Sequence, residues 1–91
     1  SRAADAGFAF NAAQLNAYGV KELQVLESVL RTAEPNAVEA VATRIRHKID
    51  WRKSARELDS EFLQAYYSAL RRHLEQRLLF GVRKRDKHDR V

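Results

Sequence analysis

Residues 54–81 read SARELDSEFLQAYYSALRRHLEQRLLFG, and the spacing of their apolar positions decides the fold class. Leu63, Tyr67, Leu70, Leu74 and Leu78 fall on one line of a helix, and Leu58, Phe62, Tyr66, Ala69 and Phe80 on an adjacent line. Recurrence at three and four residues marks an amphipathic helix. A stripe this wide belongs to a helix that touches several others or offers its second line to a partner. Two starts are open: Ser54 with Glu57 forms a capping-box pattern, which is favoured, and Asp59 or Ser60 could cap a later start. Gly81 is the expected stop.

Upstream, Leu23, Leu26 and Leu30, flanked by Val25 and Val29, recur at helical spacing opposite Lys21, Gln24, Glu27, Ser28 and Arg31. They predict an amphipathic helix from Val20 to Ala33, closed by Glu34 and Pro35, because the residue before proline is pushed out of the helical region. Asn36 and Glu39 form a cap-like pair for a third helix, with Val38, Val41, Ala42, Ile45 and Ile49 inward. Arg44, Arg46 and Lys48 gather near its C-terminal end, where positive charge complements the helix dipole. At the front, Asn11 and Gln14 stand at capping-box spacing with Phe10 and Leu15 as a staple, predicting a short helix that a left-handed Gly19 closes. No strand-like alternation persists over five residues, and no segment repeats at a fixed period.

The expected architecture is therefore all-α, a compact bundle of about four helices, one short and three longer, with a basic disordered C-terminal tail. Residues 1–10 read as a flexible lead-in, 11–81 as the bundle and 82–91 as the tail. The 91 residues suffice for one domain, and 45% hydrophobic with 32% charged residues is a folded composition. The absence of Cys excludes disulfides, thiolate zinc sites and cysteine nucleophiles. A start at Ser-Arg-Ala and the lack of Met point to a piece of a longer polypeptide. No apolar run reaches the roughly 18–20 residues needed to cross a bilayer, and no targeting leader is visible, so a cytoplasmic location is expected.

Charge is unevenly placed. Residues 1–50 carry six Lys/Arg against six Asp/Glu, whereas residues 51–91 carry eleven against six, so the net +5 sits in the second half. A localised positive field draws phosphate backbones, anionic lipid headgroups or acidic protein surfaces. Contacts to nucleic acid are expected from Lys53, Arg56, Arg71, Arg72 and Arg77, joined by Arg83, Lys84, Arg85 and Lys87 in the tail, and would be to phosphate and hence largely sequence-independent.

Enzymatic patterns are weak. His47, His73 and His88 lie on different segments, with no second His or Cys at the helical spacing of a metal site. His47 reads as a solvated residue and His73 as a partly buried polar filler. Glu57, Asp59 and Glu61 could form a carboxylate cluster, but helix capping explains them more cheaply. Three scattered glycines build no phosphate-cradling loop. Neither a cofactor nor a metal is expected.

Tyr66 and Tyr67 beside Arg71 and Arg72 invite base stacking, against a core pair that buries its rings, and the core reading leads. Trp51 either lids the core or anchors an interface, the former being favoured. The segment Ala12–Arg31 partly resembles a helix-turn-helix, yet Leu15 stands where a small residue belongs, and Glu22 and Glu27 offset Lys21 and Arg31. The leading expectation is a non-enzymatic module associated with nucleic acid, acting alone or as an accessory domain. The alternative is a protein-interaction or oligomerisation module presenting Trp51, Leu58, Phe62, Tyr66, Leu79 and Phe80.

Overall fold

A computed structural model describes the backbone from residue 8 to residue 90 and side chains from residue 8 to residue 78. The described residues form four helices and no strand: α1 (Ala12–Leu15), α2 (Val20–Thr32), α3 (Pro35–Lys48) and α4 (Asp59–Arg90). The bounds of α4 pass Gly81, the expected stop. Residues 79–90 enter only as backbone, and the expectations placed on Leu79, Phe80, Arg83, Lys84, Arg85 and Lys87, and on a tail, lie outside the described side chains.

Each helix end has a local cause. Asn11 Oδ1 accepts the Gln14 N–H at 2.8 Å while Gln14 Oε1 accepts the Asn11 N–H at 2.9 Å, the reciprocal box expected for α1. Gly19, expected in a left-handed closing role, is instead extended at φ −120° and precedes α2, its N–H donating to Glu22 Oε1 at 2.9 Å. A left-handed residue does close α2: Ala33 at φ 55°, one position past its end. For α3 the cap is Glu34 rather than Asn36: its carboxylate accepts the Ala37 N–H at 2.8 Å, and Pro35 takes the first helical position, where its missing N–H costs nothing.

The end of α3 is a Schellman turn. Asp50 is left-handed at φ 57°, its N–H donates to the His47 carbonyl at 3.3 Å, and the Trp51 N–H donates to the Arg46 carbonyl at 2.8 Å. Residues 52–58 then connect to α4, which starts at Asp59, not at the favoured Ser54. Ser54 and Glu57 make only a turn, with the Glu57 N–H on the Ser54 carbonyl at 3.2 Å. The physical reason is that the Glu57 carboxylate is drawn inward, as described below.

The spine is α4, with α2 and α3 packed mainly on it and only lightly on each other. Phe62, Leu63, Tyr66 and Leu70 are fully buried there, and Leu26, Val38, Ala42, Ile45 and Ile49 meet them from α2 and α3. Val25 leaves this pattern, being 55% exposed. Phe8 and Phe10, placed by the sequence reading in a flexible lead-in, pack on the core instead: the Phe10 ring lies 4.9 Å from Trp51 and 5.1 Å from Tyr66. Aromatic rings bury enough apolar surface to tether a chain end that lacks regular structure.

Candidate nucleic-acid interface

The corner between α3 and α4 is built on Arg46, the residue whose role sequence reasoning missed. Its Nε donates to Glu57 Oε2 at 2.9 Å and its Nη1 to Asp59 Oδ1 at 2.7 Å, while its guanidinium carbon sits 4.7 Å from the centroid of the Phe62 ring. Trp51 Nε1 donates to both Glu57 oxygens at 3.2 Å. Arg46 Nη2 is buried with no hydrogen-bond partner among the described residues. Glu57 and Asp59, expected as caps, are also ion-pair partners. They are the counter-ions of a buried cation, and they pin the connection between α3 and α4.

The exposed charges of residues 44–56 are mostly cationic. Arg44, Lys48, Arg52, Lys53 and Arg56 are all exposed, and Asp50 is the single acid between residues 44 and 56. Among the described residues none of these five cations is in an ion pair, the pairs formed being those of Arg46 and of Arg71. The negative pole at the end of α3 accounts for Lys48, but not for Arg52, Lys53 and Arg56, which lie beyond its last turn.

The remaining expected contacts do not join this corner. Arg71 begins roughly 18 Å along α4 from Asp59, at 1.5 Å per residue. At about 100° per residue, Arg71, Arg72 and Arg77 fan around the helix rather than share a stripe. All three are exposed. Arg71 Nε pairs with Glu75 at 3.2 Å, which holds its guanidinium above the ordinary range. Arg77 Nη1 donates to Asn16 Oδ1 at 3.1 Å, an oxygen that His73 Nε2 also meets at 2.7 Å. Arg72 borders a hollow beside residues 8–10.

The residues expected to face a protein partner divide. Phe62 and Tyr66 are fully buried in the chain's own core and offer no surface, so the second apolar line is consumed internally. Tyr66 cannot stack a base: its ring lies against Phe10, Tyr18 and Phe62, and its hydroxyl donates to the Gln14 carbonyl at 2.7 Å. Burial pushes that phenol well above its ordinary pKa. Trp51 is half-buried among Phe8, Phe10 and Phe62, whereas Leu58 is 56% exposed. His47 is exposed and His73 partly buried. The helix-turn-helix resemblance reduces to a one-turn α1 and an α2 that exposes Lys21 and Arg31 beside Glu22 and Glu27.

Among the described residues no group of His, Asp and Glu side chains is arranged to hold a metal ion, and no helix is long and apolar enough to cross a membrane. The signal that could have revealed Arg46 is its position four residues after Ala42, a cation on the core line of α3. No family model, curated protein or solved structure matches this chain.

Proposed function

We propose that this chain is a non-enzymatic helical binding module that associates with nucleic acid through phosphate contacts centred on the α3–α4 corner. The observation that carries the reading is the run of five exposed cations from Arg44 to Arg56, two near the end of α3 and three on the connection that the buried Arg46–Glu57–Asp59 cluster fixes in place. Cations on a pre-ordered backbone lose less conformational freedom on binding than cations on an unstructured end. Arg71, Arg72 and Arg77 add to the field without forming one face with the corner.

Fluorescence anisotropy with single- and double-stranded oligonucleotides at two salt concentrations tests this. Each phosphate contact steepens the fall of log affinity with log salt by about 0.7–0.9. Replacing Arg52, Lys53 and Arg56 together by Gln is expected to weaken binding and flatten that slope by about 2–3, more than the same change at Arg71, Arg72 and Arg77. An absence of binding at low salt, or equal affinity for the wild type and the corner variant, overturns the reading.

A further inference from the structure

Between residues 8–10 and the side of α4 lies a hollow of about 410 Å³. It exists because α4 presents Ala65, Ser68 and Ala69 there, side chains too small to fill the space below Phe8 and Phe10. Its apolar lining is those two rings, Leu15 and three alanines, Ala9, Ala65 and Ala69; Arg72, His73 and Gln76 are polar residues of the lining. Among the described residues no acid lines it, and Arg72, the single formally charged side chain among them, is exposed and outside the ion pairs they form. His73 is oriented by its 2.7 Å contact to Asn16 Oδ1.

We infer that this hollow binds a small apolar monocarboxylate, its hydrocarbon body against Phe8, Phe10 and Ala69 and its carboxylate on the Arg72 guanidinium. Three features select that class. The volume lies in the range of small-molecule sites and, at about 30 Å³ per water-sized group, holds on the order of a dozen non-hydrogen atoms. A planar guanidinium matches a carboxylate with two parallel N–H···O bonds. One cation balances one negative charge, whereas a phosphate monoester brings about two. The inference does not rest on the nucleic-acid reading: the two share Arg72, but none of the corner cations that carry that reading lines the hollow.

The test is an NMR titration of the full chain with octanoate and, as the neutral counterpart, 1-octanol. Octanoate is expected to bind saturably, shifting the amides of residues 8–10 and 65–73. R72Q should weaken octanoate by about tenfold, the worth of one charge-assisted contact, while leaving 1-octanol unchanged. A69L, which fills the hollow, should abolish both while a native-like spectrum shows that the fold persists. The variant with Gln at positions 52, 53 and 56 should bind octanoate normally, separating this site from the corner. Shifts scattered over the surface, equal affinity for octanoate and 1-octanol, or undiminished octanoate binding by R72Q would overturn the proposal.

Discussion

Arg46 Nε and Glu57 Oε2 meet at 2.9 Å with only 8% and 4% of their side chains exposed, joining the last turn of α3 to the connection before α4. Removing one partner of a buried pair strands the other charge, which costs about 3–5 kcal/mol, against roughly 1 kcal/mol or less for a solvated pair. Glu57→Gln is therefore expected to lower unfolding free energy by about 3 kcal/mol, read from urea denaturation. Arg46→Met combined with Glu57→Gln should cost less than the sum of the two single changes, because the double variant leaves fewer buried charges unpaired. A loss under about 1 kcal/mol for Glu57→Gln would mean that water reaches the pair.

The Tyr66 hydroxyl makes stability sensitive to alkali. Its folded pKa is raised above the unfolded value of about 10, so the stability it contributes is complete below pH 10. Above that pH the unfolded phenol ionises while the folded one keeps its proton, and stability falls as pH rises. Tyr66→Phe should make the denaturation midpoint less dependent on pH above 10, with Tyr18, also raised by burial, supplying the remaining slope. At neutral pH the same change costs about 1–3 kcal/mol, since the Gln14 carbonyl loses its buried donor.

Leu70 and Leu74 sit on one line of α4 but at different depths, the first fully buried and the second partly so. Leu70→Ala should cost about 2–5 kcal/mol through lost burial and the cavity left behind. Leu74→Ala should cost distinctly less. Equal losses in thermal or urea unfolding would contradict the depth assigned to α4.

Ala33 holds a left-handed conformation at φ 55°. Such a backbone costs a residue with a Cβ about 1 kcal/mol or more, and glycine adopts it freely. Ala33→Gly is accordingly expected to raise the unfolding midpoint. The gain should be smaller than the full strain, because glycine also loses more entropy on folding. A lowered midpoint would rule out the left-handed closure of α2.

Periodicity alone carried most of the architecture. Leu63 and Leu70 are buried as expected, and Val38, Ala42, Ile45 and Ile49 are buried with them. What periodicity could not carry was any choice that depends on the rest of the fold. Ser54 and Glu57 match a capping box locally, yet the Glu57 carboxylate finds a stronger partner in Arg46, eleven residues earlier in the chain, and α4 starts later. Asn36 looks like a natural cap, but Glu34 takes that role, and Gly19 starts α2 in an extended conformation rather than closing α1 in a left-handed one, because a good turn residue nearby does not fix how the chain uses it. Phe62 and Tyr66 were offered to a partner while residues 1–10 read as a flexible lead-in, yet Phe8 and Phe10 cover them. Of the cations, exposure was legible, but not that Arg71, Arg72 and Arg77 diverge around α4, nor that Arg52, Lys53 and Arg56 lie on a connection pinned by Arg46.

The first helix has only four residues, far below the roughly 12–15 that an isolated helix needs in water. It is held by contacts distant in sequence: Tyr66 reaches the Gln14 carbonyl across 52 positions, and Gln14 Nε2 reaches the Ile49 carbonyl across 35. Such closures reward the chain only after α3 and α4 have docked, so the N-terminal strap is assembled last. The reverse order governs opening. Amides of residues 14–16 should exchange with solvent through a partial unfolding that leaves the three longer helices intact, at a lower free energy than those of α4. Phe8 and Phe10 leave with that strap, so the hollow they wall exists only while it is closed, and whatever fills the hollow slows exchange at the front of the chain by mass action.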